Sequence, residues 1–399
     1  GGRAEVPMRT AVAPSLPKPA GTSGSIRTSS SRPLKPAVGL SAQLSSGGHQ
    51  HGGHQSAGHS AHAATTHGKA AVDELGRVVS TPLAFGSCDI PPVRFAGTNF
   101  TVSTFQHIGD RRTQEDRFSV VPHFEPEKGL PCSFFGVFDG TVGDFASENV
   151  KELVVPKLLA SPHWKALSKA APRSAEQDRL LKEVVLSMYS GVDEALIRRC
   201  AENTQHYATC TSVTIMIVGD ALVVGHLGDS RIILGKADGH KGELVGEQLT
   251  QDHKPDLDDE RQRIERCGGM VERLQNHSNK PFIRGGDFMM RKALGEQPMQ
   301  LQYSRAFGAK DLKMFGLSCI PDVKVIRAGS AQCRHPRYVI LASDGLWDIL
   351  SSQQAVDGAA QAVQEDLNPA EALVRLALME QSRRKGRADN ITATVIQFD

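Results

Sequence analysis

The sequence contains few of the features that mark secreted, membrane-spanning or zinc-thiolate proteins. Its seven cysteines are an odd number without a Cys-x-x-Cys pair, which argues against a disulfide framework or a zinc cluster and favours a reducing compartment. No apolar run approaches the ~20 residues of a membrane span, so no spanning helix is expected. With 46 basic and 44 acidic residues the net charge is +2, which gives no electrostatic reason to expect a nucleic acid partner.

Residues 1–90 are poor in acidic side chains and show no apolar periodicity. Before Asp73 the only acidic residue is Glu5, and a chain so rich in Ser, Ala, Gly and Pro can bury little surface, so a disordered tail is predicted. The acid-poor, Arg-bearing composition also fits an organelle transit peptide, as the alternative to a cytoplasmic or nuclear protein. A histidine cluster in this tail is either plain low complexity or a weak metal-binding tract: His49, His51, His54, His59, His62 and His67.

A folded domain is expected over residues 91–399. Apolar and β-branched runs predict strands near residues 101–105, 117–121, 134–138, 211–218, 221–227, 231–234, 334–342 and 391–398. Helical stripes predict helices over 145–159 and 256–267, one through 181–196 that begins at a Ser174/Gln177 capping box, and one that begins at Asn368. Hairpins and long helices without a regular βαβ alternation indicate an α+β sandwich and not a doubly wound sheet.

Carboxylates recur where these predicted strands begin or end. The central run 134–138 ends in Asp139-Gly140, and the same arrangement recurs along the chain at Asp229, Asp344, Asp348 and Asp389, with Glu115 just before a strand. Any one of them could be a simple turn. Together they would form an oxygen-rich site without His or Cys, which suits Mg²⁺ or Mn²⁺ better than zinc. Two such ions can activate a water for in-line displacement at phosphorus, and the Arg111 guanidinium, unless it is simply solvated, could bind phosphate oxygens.

From residue 95 to 398 the chain resembles the metal-dependent protein serine/threonine phosphatases of the 2C type. The resemblance depends on nine stretches in that family's order, which together are highly specific: Arg111-x-x-x-Glu115-Asp116, Phe135-Gly136-Val137-Phe138-Asp139-Gly140, Gly228-Asp229-Ser230-Arg231, Leu249-Thr250-x-Asp252-His253-Lys254-Pro255, Glu260-x-x-Arg263-Ile264, Gly268-Gly269, Ser304-Arg305-Ala306-Phe307-Gly308, Leu341-Ala342-Ser343-Asp344-Gly345-Leu346-Trp347-Asp348, and Asp389-Asn390-Ile391-Thr392.

The resemblance implies a four-layer αββα sandwich, in which helices flank two antiparallel β-sheets and two metal ions bind at one edge. It implies dephosphorylation of phosphoserine and phosphothreonine in phosphoprotein substrates by a monomer, through a metal-bridged water that attacks phosphorus in line. Carried over by position, Arg111 would hold the substrate phosphate. The implied metal ligands are Asp139 as the bridge, the Gly140 carbonyl on one ion, Asp344 and Asp389 on the other, Glu115 directly or through water with Asp116 in support, and Asp229, Asp348 and Asp344 around a weaker third ion.

Two positions depart from the family pattern. The family places a histidine after Asp-Gly as the proposed general acid, whereas this chain has Thr141, which cannot serve as a useful acid near neutral pH. Loss of a general acid typically costs ~10²–10⁴ in rate, so poor leaving groups should suffer most, unless a metal-bound water or a histidine such as His253 substitutes. The aspartate that usually follows Ser-Arg-Ala-Phe-Gly is replaced by Ala309, for which Asp311 could compensate.

Residues 271–302 form a longer polar and basic stretch than the family generally has between these motifs. We interpret it as a mobile flap beside the active site, whose Arg284, Arg291 and Lys292 could select acidic phosphoprotein surfaces. A solvated loop without specificity is the alternative.

Two other classes remain as rivals. A cysteine phosphatase would match the spacing Cys88-x₅-Arg94 or Cys267-x₅-Arg273, but its loop needs a strand before the cysteine and a phosphate-binding helix after it. A metal-binding pseudophosphatase that docks partner proteins is the stronger rival, because Thr141 favours it. Retention of the whole acidic set together with Arg111 favours an active enzyme.

Overall fold

The structure is a computed structural model that describes residues 71–72, 78–79, 94–124, 132–238, 243–275 and 279–399. Within the first two ranges lie two short strands, β1 (Ala71–Val72) and β2 (Val78–Val79), which pair antiparallel. The tail predicted for residues 1–90 otherwise lies outside the described residues. Its histidine cluster lies there too, so the metal-binding and transit-peptide interpretations stay predictions.

Two five-stranded antiparallel sheets form the centre of the molecule. The first has the order β16-β9-β8-β5-β4, with β4 at Arg117–Phe124, β5 at Cys132–Phe138, β8 at Ser212–Val218, β9 at Ala221–Leu227 and β16 at Asp322–Arg327. The second has the order β11-β10-β17-β18-β3, with β3 at Phe100–His107, β10 at Arg231–Ala237, β11 at Leu244–Gln248, β17 at Pro336–Ala342 and β18 at Ile391–Phe398. The predicted hairpin at Gly219-Asp220 joins β8 to β9.

Helices cover the outer face of each sheet. The first sheet packs against α1 (Phe145–Ala160), α2 (Pro162–Leu167) and α3 (Ala175–Glu202), and the second against α8 (Ser352–Gln364) and α9 (Pro369–Arg383). Side chains of β5 alternate, because Phe134 and Phe138 belong to the core under the helices whereas Phe135 and Val137 belong to the core between the sheets. The predicted four-layer αββα sandwich is therefore confirmed.

The helix starts follow local capping chemistry. The Ser174 side chain accepts a hydrogen bond from Gln177 N, and Asn368 accepts one from Glu371 N, so both predicted caps are present. The reciprocal half of the capping box differs from the prediction, because the Gln177 side chain accepts from Arg173 N. No helix of the described ranges is long and apolar enough to cross a bilayer.

The remaining elements surround one edge of the sandwich. A short sheet has the order β15-β7-β6, with β6 at Gly140–Thr141, β7 at Thr209–Cys210 and β15 at Phe307–Gly308. The segment predicted as a flap contains α5 (Phe288–Ala293) and most of another three-stranded sheet. The strands of this sheet are β12 (Gly269–Leu274), β13 (Lys280–Gly285) and β14 (Gln300–Leu301). Three short helices complete the fold: α4 (Asp258–Arg266), α6 (Lys310–Lys313) and α7 (Asp344–Trp347).

The basic side chains of the flap are largely paired with acidic or polar groups of the protein itself. Arg284 is buried and donates to Glu272 and Gln300. Arg291 donates to Glu296 and to Asp311. These contacts leave less free positive charge for an acidic substrate surface than the sequence indicated.

Glu260 on α4 connects that helix to the segment that precedes β15. It is 2% exposed and accepts hydrogen bonds from Arg263, Arg305 and Ser304. Burial alone would raise the pKa of Glu260, but these hydrogen bonds outweigh it and lower the pKa to about 2.

Replacing Glu260 by glutamine is expected to lower the free energy of unfolding at pH 7 by about 3 kcal/mol, because two arginines lose their buried carboxylate. The folded-state pKa lies below the unfolded-state value of 4.5, so the carboxylate stabilises the fold above that value and loses its effect as the pH falls toward 2. Urea unfolding should therefore give a difference from wild type that narrows below pH 4.5. Glu265→Gln, at an exposed position of the same helix, is the control and should change stability little. A pH-independent difference would contradict this account.

Candidate metal centre

The predicted acidic residues lie at a single edge of the sandwich. In the first sheet β5 and β9 both pair antiparallel with β8, so they run parallel to each other, and Asp139 and Asp229 follow their ends at the same edge. In the second sheet Arg231 pairs with Ala342 and Ala342 with Ala393. Asp344 and Asp389 therefore adjoin neighbouring strand ends at that edge as well.

The carboxylates are close enough to perturb one another. Burial raises the pKa of Asp139 well above its ordinary value, and four neighbouring negative charges raise it further: Asp116, Asp344, Asp229 and Asp389. Burial also raises the pKa of Asp344 well above its ordinary value, and the charges of Asp229, Asp348 and Asp389 add to the effect. Both side chains remain partly accessible to solvent although protein surrounds them on most sides. Such mutual repulsion favours the binding of cations.

Two glycines allow the backbone contacts that bring these residues together. A Cβ on Gly345 would lie 2.1 Å from the carbonyl oxygen of Asn390, so only glycine lets the turn after Asp344 pack against the segment that carries Asp389. A Cβ on Gly140 would lie 2.4 Å from the carbonyl oxygen of Glu115. The Asp139-Gly140 turn therefore packs directly on the chain that carries Glu115.

The buried carboxylate of Asp116 has hydrogen-bond partners on only one of its two oxygens. It is 1% exposed, and its Oδ2 accepts hydrogen bonds from Ser343 Oγ at 2.7 Å and Thr392 Oγ1 at 2.8 Å. Burial raises its pKa to about 6. Its other oxygen, Oδ1, is buried and has no hydrogen-bond partner among the described residues. A buried carboxylate oxygen without a hydrogen-bond partner destabilises the fold. A cation, or a water molecule bound to a cation, would supply the missing partner. The donor set, all oxygen, fits a hard divalent cation.

The remaining predicted site residues lie around this acidic group. Glu115 accepts from Gly143 N at 2.8 Å through Oε2 and from Thr113 Oγ1 at 2.9 Å through Oε1. Arg111 lies at the mouth, where its Nη2 is 2.5 Å from Asp389 Oδ2 and its side chain is 58% exposed. A guanidinium that is already at the site and open to solvent can turn to an incoming anion.

Two lysines that the sequence did not single out neutralise part of this charge. Lys254 Nζ lies 2.5 Å from Asp229 Oδ2. Lys280 Nζ, from the flap strand β13, lies 3.2 Å from Asp348 Oδ2. Both acidic partners belong to the set expected around a weaker third ion. Lys254 belongs to the stretch from Leu249 to Pro255 quoted in the sequence analysis, where it had no assigned role, and nothing local indicates Lys280.

The side chains suggested as substitutes at the two departures from the family pattern, His253 for the general acid and Asp311 for the aspartate replaced by Ala309, lie elsewhere. His253 is 3% exposed; its Nδ1 accepts from Gly228 N at 3.1 Å and its Nε2 lies 3.3 Å from Asp322 Oδ2. Asp311 pairs with Arg291 of the flap. Both side chains are thus engaged outside the acidic group. The group that does contact Thr141 is Tyr303, whose hydroxyl donates to Thr141 Oγ1 at 2.9 Å.

A second cluster of candidate ligands, His226, His253 and Asp322, has ligand atoms within 4.8 Å of one another. Its hydrogen bonds do not suit a metal. His253 Nδ1 accepts a hydrogen bond from an N–H group, so in the neutral imidazole the proton lies on Nε2. An ion in this cluster would have to bind Nε2. A metal-binding histidine normally donates a hydrogen bond from the nitrogen that does not bind the metal, and here that nitrogen is an acceptor. Arg305 Nη1 also lies 2.9 Å from Asp322 Oδ1. The all-oxygen acidic group is therefore the better metal centre.

The cysteine phosphatase alternative finds no support. Cys267 is the exposed residue that ends α4, so it follows a helix where such a loop requires a preceding strand. Cys88 lies outside the described residues.

Comparisons with known proteins agree with this geometry. The family model described as protein phosphatase 2C matches residues 100–391. Probable protein phosphatase 2C 59 of Arabidopsis thaliana is 31% identical over 291 residues, which cover 73% of this chain and 77% of the relative. Probable protein phosphatase 2C member 13, mitochondrial, of Oryza sativa subsp. japonica is 32% identical over 290 residues, covering 73% and 66%.

A solved structure is similar in both sequence and fold. The crystal structure of a serine-threonine phosphatase 2C from Toxoplasma gondii is 51% identical, with a TM-score of 0.71, and the match covers 78% of this chain and 98% of that one. The chain therefore belongs to the protein phosphatase 2C family of metal-dependent protein serine/threonine phosphatases.

Proposed function

We propose that this chain is an active enzyme that hydrolyses phosphoserine and phosphothreonine in proteins with the help of Mg²⁺ or Mn²⁺. The observation that supports it most directly is the convergence of strand-end carboxylates on Asp139, whose pKa rises with burial and with four neighbouring negative charges. Such a group is unfavourable without cations and has no structural reason to persist without them. A slow turnover is expected, because Thr141 replaces the family's general acid.

The residues divide into groups that hold ions and groups that hold substrate. Asp139 would bridge two ions, with the Gly140 carbonyl on one, Asp344 and Asp389 on the other, and Glu115 and Asp116 in support. Bound ions would supply charge neutralisation for the phosphate and an activated water for in-line displacement at phosphorus. Arg111 would bind the phosphate oxygens by its guanidinium fork. Asp229 and Asp348 would join Asp344 around a third ion. This ion would bind more weakly, because Asp229 and Asp348 each already have a lysine partner that the ion must displace.

The test is an assay of the purified chain on a phosphothreonine peptide and on p-nitrophenyl phosphate, with Mn²⁺ and with EDTA. Metal-dependent phosphate release supports the proposal. The alternative is a pseudophosphatase that binds metal and docks partners. Tight Mn²⁺ binding by calorimetry without release from either substrate would establish that alternative.

Replacing Arg111 by alanine is expected to raise KM for the phosphothreonine peptide by about 10–100-fold while kcat changes less, because hydrogen bonds to a charged group are lost mainly from substrate binding. Inhibition by inorganic phosphate should weaken by a similar factor. Steady-state kinetics with phosphate as competitor measures both.

Arg112→Ala provides the matched control, because Arg112 is the exposed neighbour of Arg111. It should leave the KM for the peptide and the inhibition by inorganic phosphate close to the wild-type values. Arg111→Lys should recover only part of the affinity, since an ammonium group cannot form the two-point contact. Equal effects of the two alanine variants would contradict a specific phosphate contact at Arg111.

A further inference from the structure

Tyr303 connects the core beneath the flap to the active site. It lies between β14 and β15 and is 6% exposed. Its neighbours in that small core include Ile264, Ile283 and Leu312. Its ring is therefore held by apolar packing, and its hydroxyl has a fixed position relative to the acidic group.

The hydroxyl of Tyr303 donates a hydrogen bond to Thr141 Oγ1 at 2.9 Å. Thr141 lies in β6, two residues after Asp139, and is itself held by pairing with Thr209 of β7. Burial raises the pKa of Tyr303 well above its ordinary value; the hydrogen bond to Thr141 opposes this, and the charges of Asp139 and Asp229 add to it. The phenol therefore keeps its proton at any working pH and is a permanent donor.

This contact determines what the Thr141 hydroxyl can do. A threonine hydroxyl has one proton and two acceptor lone pairs. Tyr303 occupies one lone pair, and no other hydrogen bond to Thr141 Oγ1 occurs among the described residues. The proton of Thr141 is thus available to an oxygen that enters the site. A donor that itself accepts a hydrogen bond is a stronger donor, because chains of hydrogen bonds polarise one another.

We propose that Tyr303 is a positioning residue that orients the Thr141 hydroxyl as a hydrogen-bond donor to the leaving oxygen of the bound phosphate ester. The inference rests on the proposed phosphatase activity and deepens it. The pair supplies a fixed neutral donor where the family has an acid. It would stabilise charge that develops on the leaving oxygen without transferring a proton.

The test compares Tyr303→Phe, Thr141→Val, the double variant and Thr141→Ser. In Tyr303→Phe, kcat for the phosphothreonine peptide should fall about 10-fold, the effect of one hydrogen bond in the transition state. For p-nitrophenyl phosphate, whose leaving anion is stable without help, the loss should stay below about 3-fold. Thr141→Val should match this pattern, Thr141→Ser should recover most of the peptide activity, and the double variant should be no slower than either single variant.

Tyr189→Phe is the matched control for removal of a buried phenol. Tyr189 is fully buried and its hydroxyl bonds to Ser212 and Thr214, outside the acidic group. It should not alter the ratio of activities on the two substrates. A loss in Tyr303→Phe that is equal on both substrates, or that persists undiminished in the Thr141→Val background, would overturn the inference in favour of a structural role. Absence of Mn²⁺-dependent release by the wild type would instead refute the proposed function itself.

Discussion

Replacing Asp139 by asparagine is expected to reduce Mn²⁺-dependent release from a phosphothreonine peptide by about 10³-fold or more. The carboxylate would bridge both ions, so its loss weakens two binding positions together, and several kcal/mol of charge stabilisation corresponds to several factors of ten in rate. Phosphate release measured across a Mn²⁺ titration would show whether excess ion recovers any activity. A loss below about 10-fold would contradict the bridging role.

The same substitution should stabilise the metal-free protein. Burial and neighbouring charges raise the pKa of Asp139 in the folded state. At pH 7, which is above the pKa of this group in the unfolded state, the ionised carboxylate therefore destabilises the fold. A neutral side chain of the same shape removes that cost. We expect a gain of about 1–3 kcal/mol and a Tm in EDTA a few degrees higher. Added Mn²⁺ should raise the Tm of wild type more than that of Asp139→Asn.

Asp220→Asn is the matched control for Asp139→Asn. Asp220 lies in the turn between β8 and β9, at the opposite end of the first sheet, and pairs with Arg173 and Arg327. Its loss should lower stability and leave the Mn²⁺-dependent activity near wild type. Opposite signs of the stability change in the two variants would separate the repulsive carboxylate of the site from an ordinary ion pair.

The acidic site could be predicted from the sequence because its residues share one local signature. Asp139, Asp229, Asp344 and Asp389 each adjoin a strand end, and such ends meet at the edge of a sheet. The alternation of Phe134 and Phe135 between two cores likewise follows from the period of a strand buried on both faces. These features depend on short stretches of chain, which local patterns describe well.

The parts that could not be predicted depend on contacts between distant segments. Tyr303 meets Thr141 across 162 positions of sequence, and locally it is indistinguishable from a core aromatic residue. Lys280 reaches Asp348 from the flap across 68 positions. The flap itself contains few apolar residues in any regular period, so its three strands gave no local signal. The folded structure of the flap depends on a small hydrophobic core that it shares with α4 and α6.

Replacing Thr141 by histidine is expected to raise turnover of the phosphothreonine peptide only modestly by itself. A general acid is worth ~10²–10⁴ in rate when it is correctly placed. The Tyr303 hydroxyl, however, lies 2.9 Å from Thr141 Oγ1, so it occupies space that an imidazole would need in the same rotamer. Thr141→His combined with Tyr303→Leu should therefore exceed Thr141→His by about 10-fold or more, since leucine keeps an apolar side chain in the flap core while it removes the phenol.

The leaving group separates this explanation from a general change in the site. Gains in the double variant should be large with the phosphothreonine peptide and small with p-nitrophenyl phosphate, because only the alkoxide needs a proton. The pH profile of kcat should acquire a decline on the alkaline side as the imidazolium loses its proton. Tyr303→Leu alone serves as the control and should be slower than wild type, since it removes the donor to Thr141. If Thr141→His alone reached the activity of the double variant, then Tyr303 would not restrict the space at position 141.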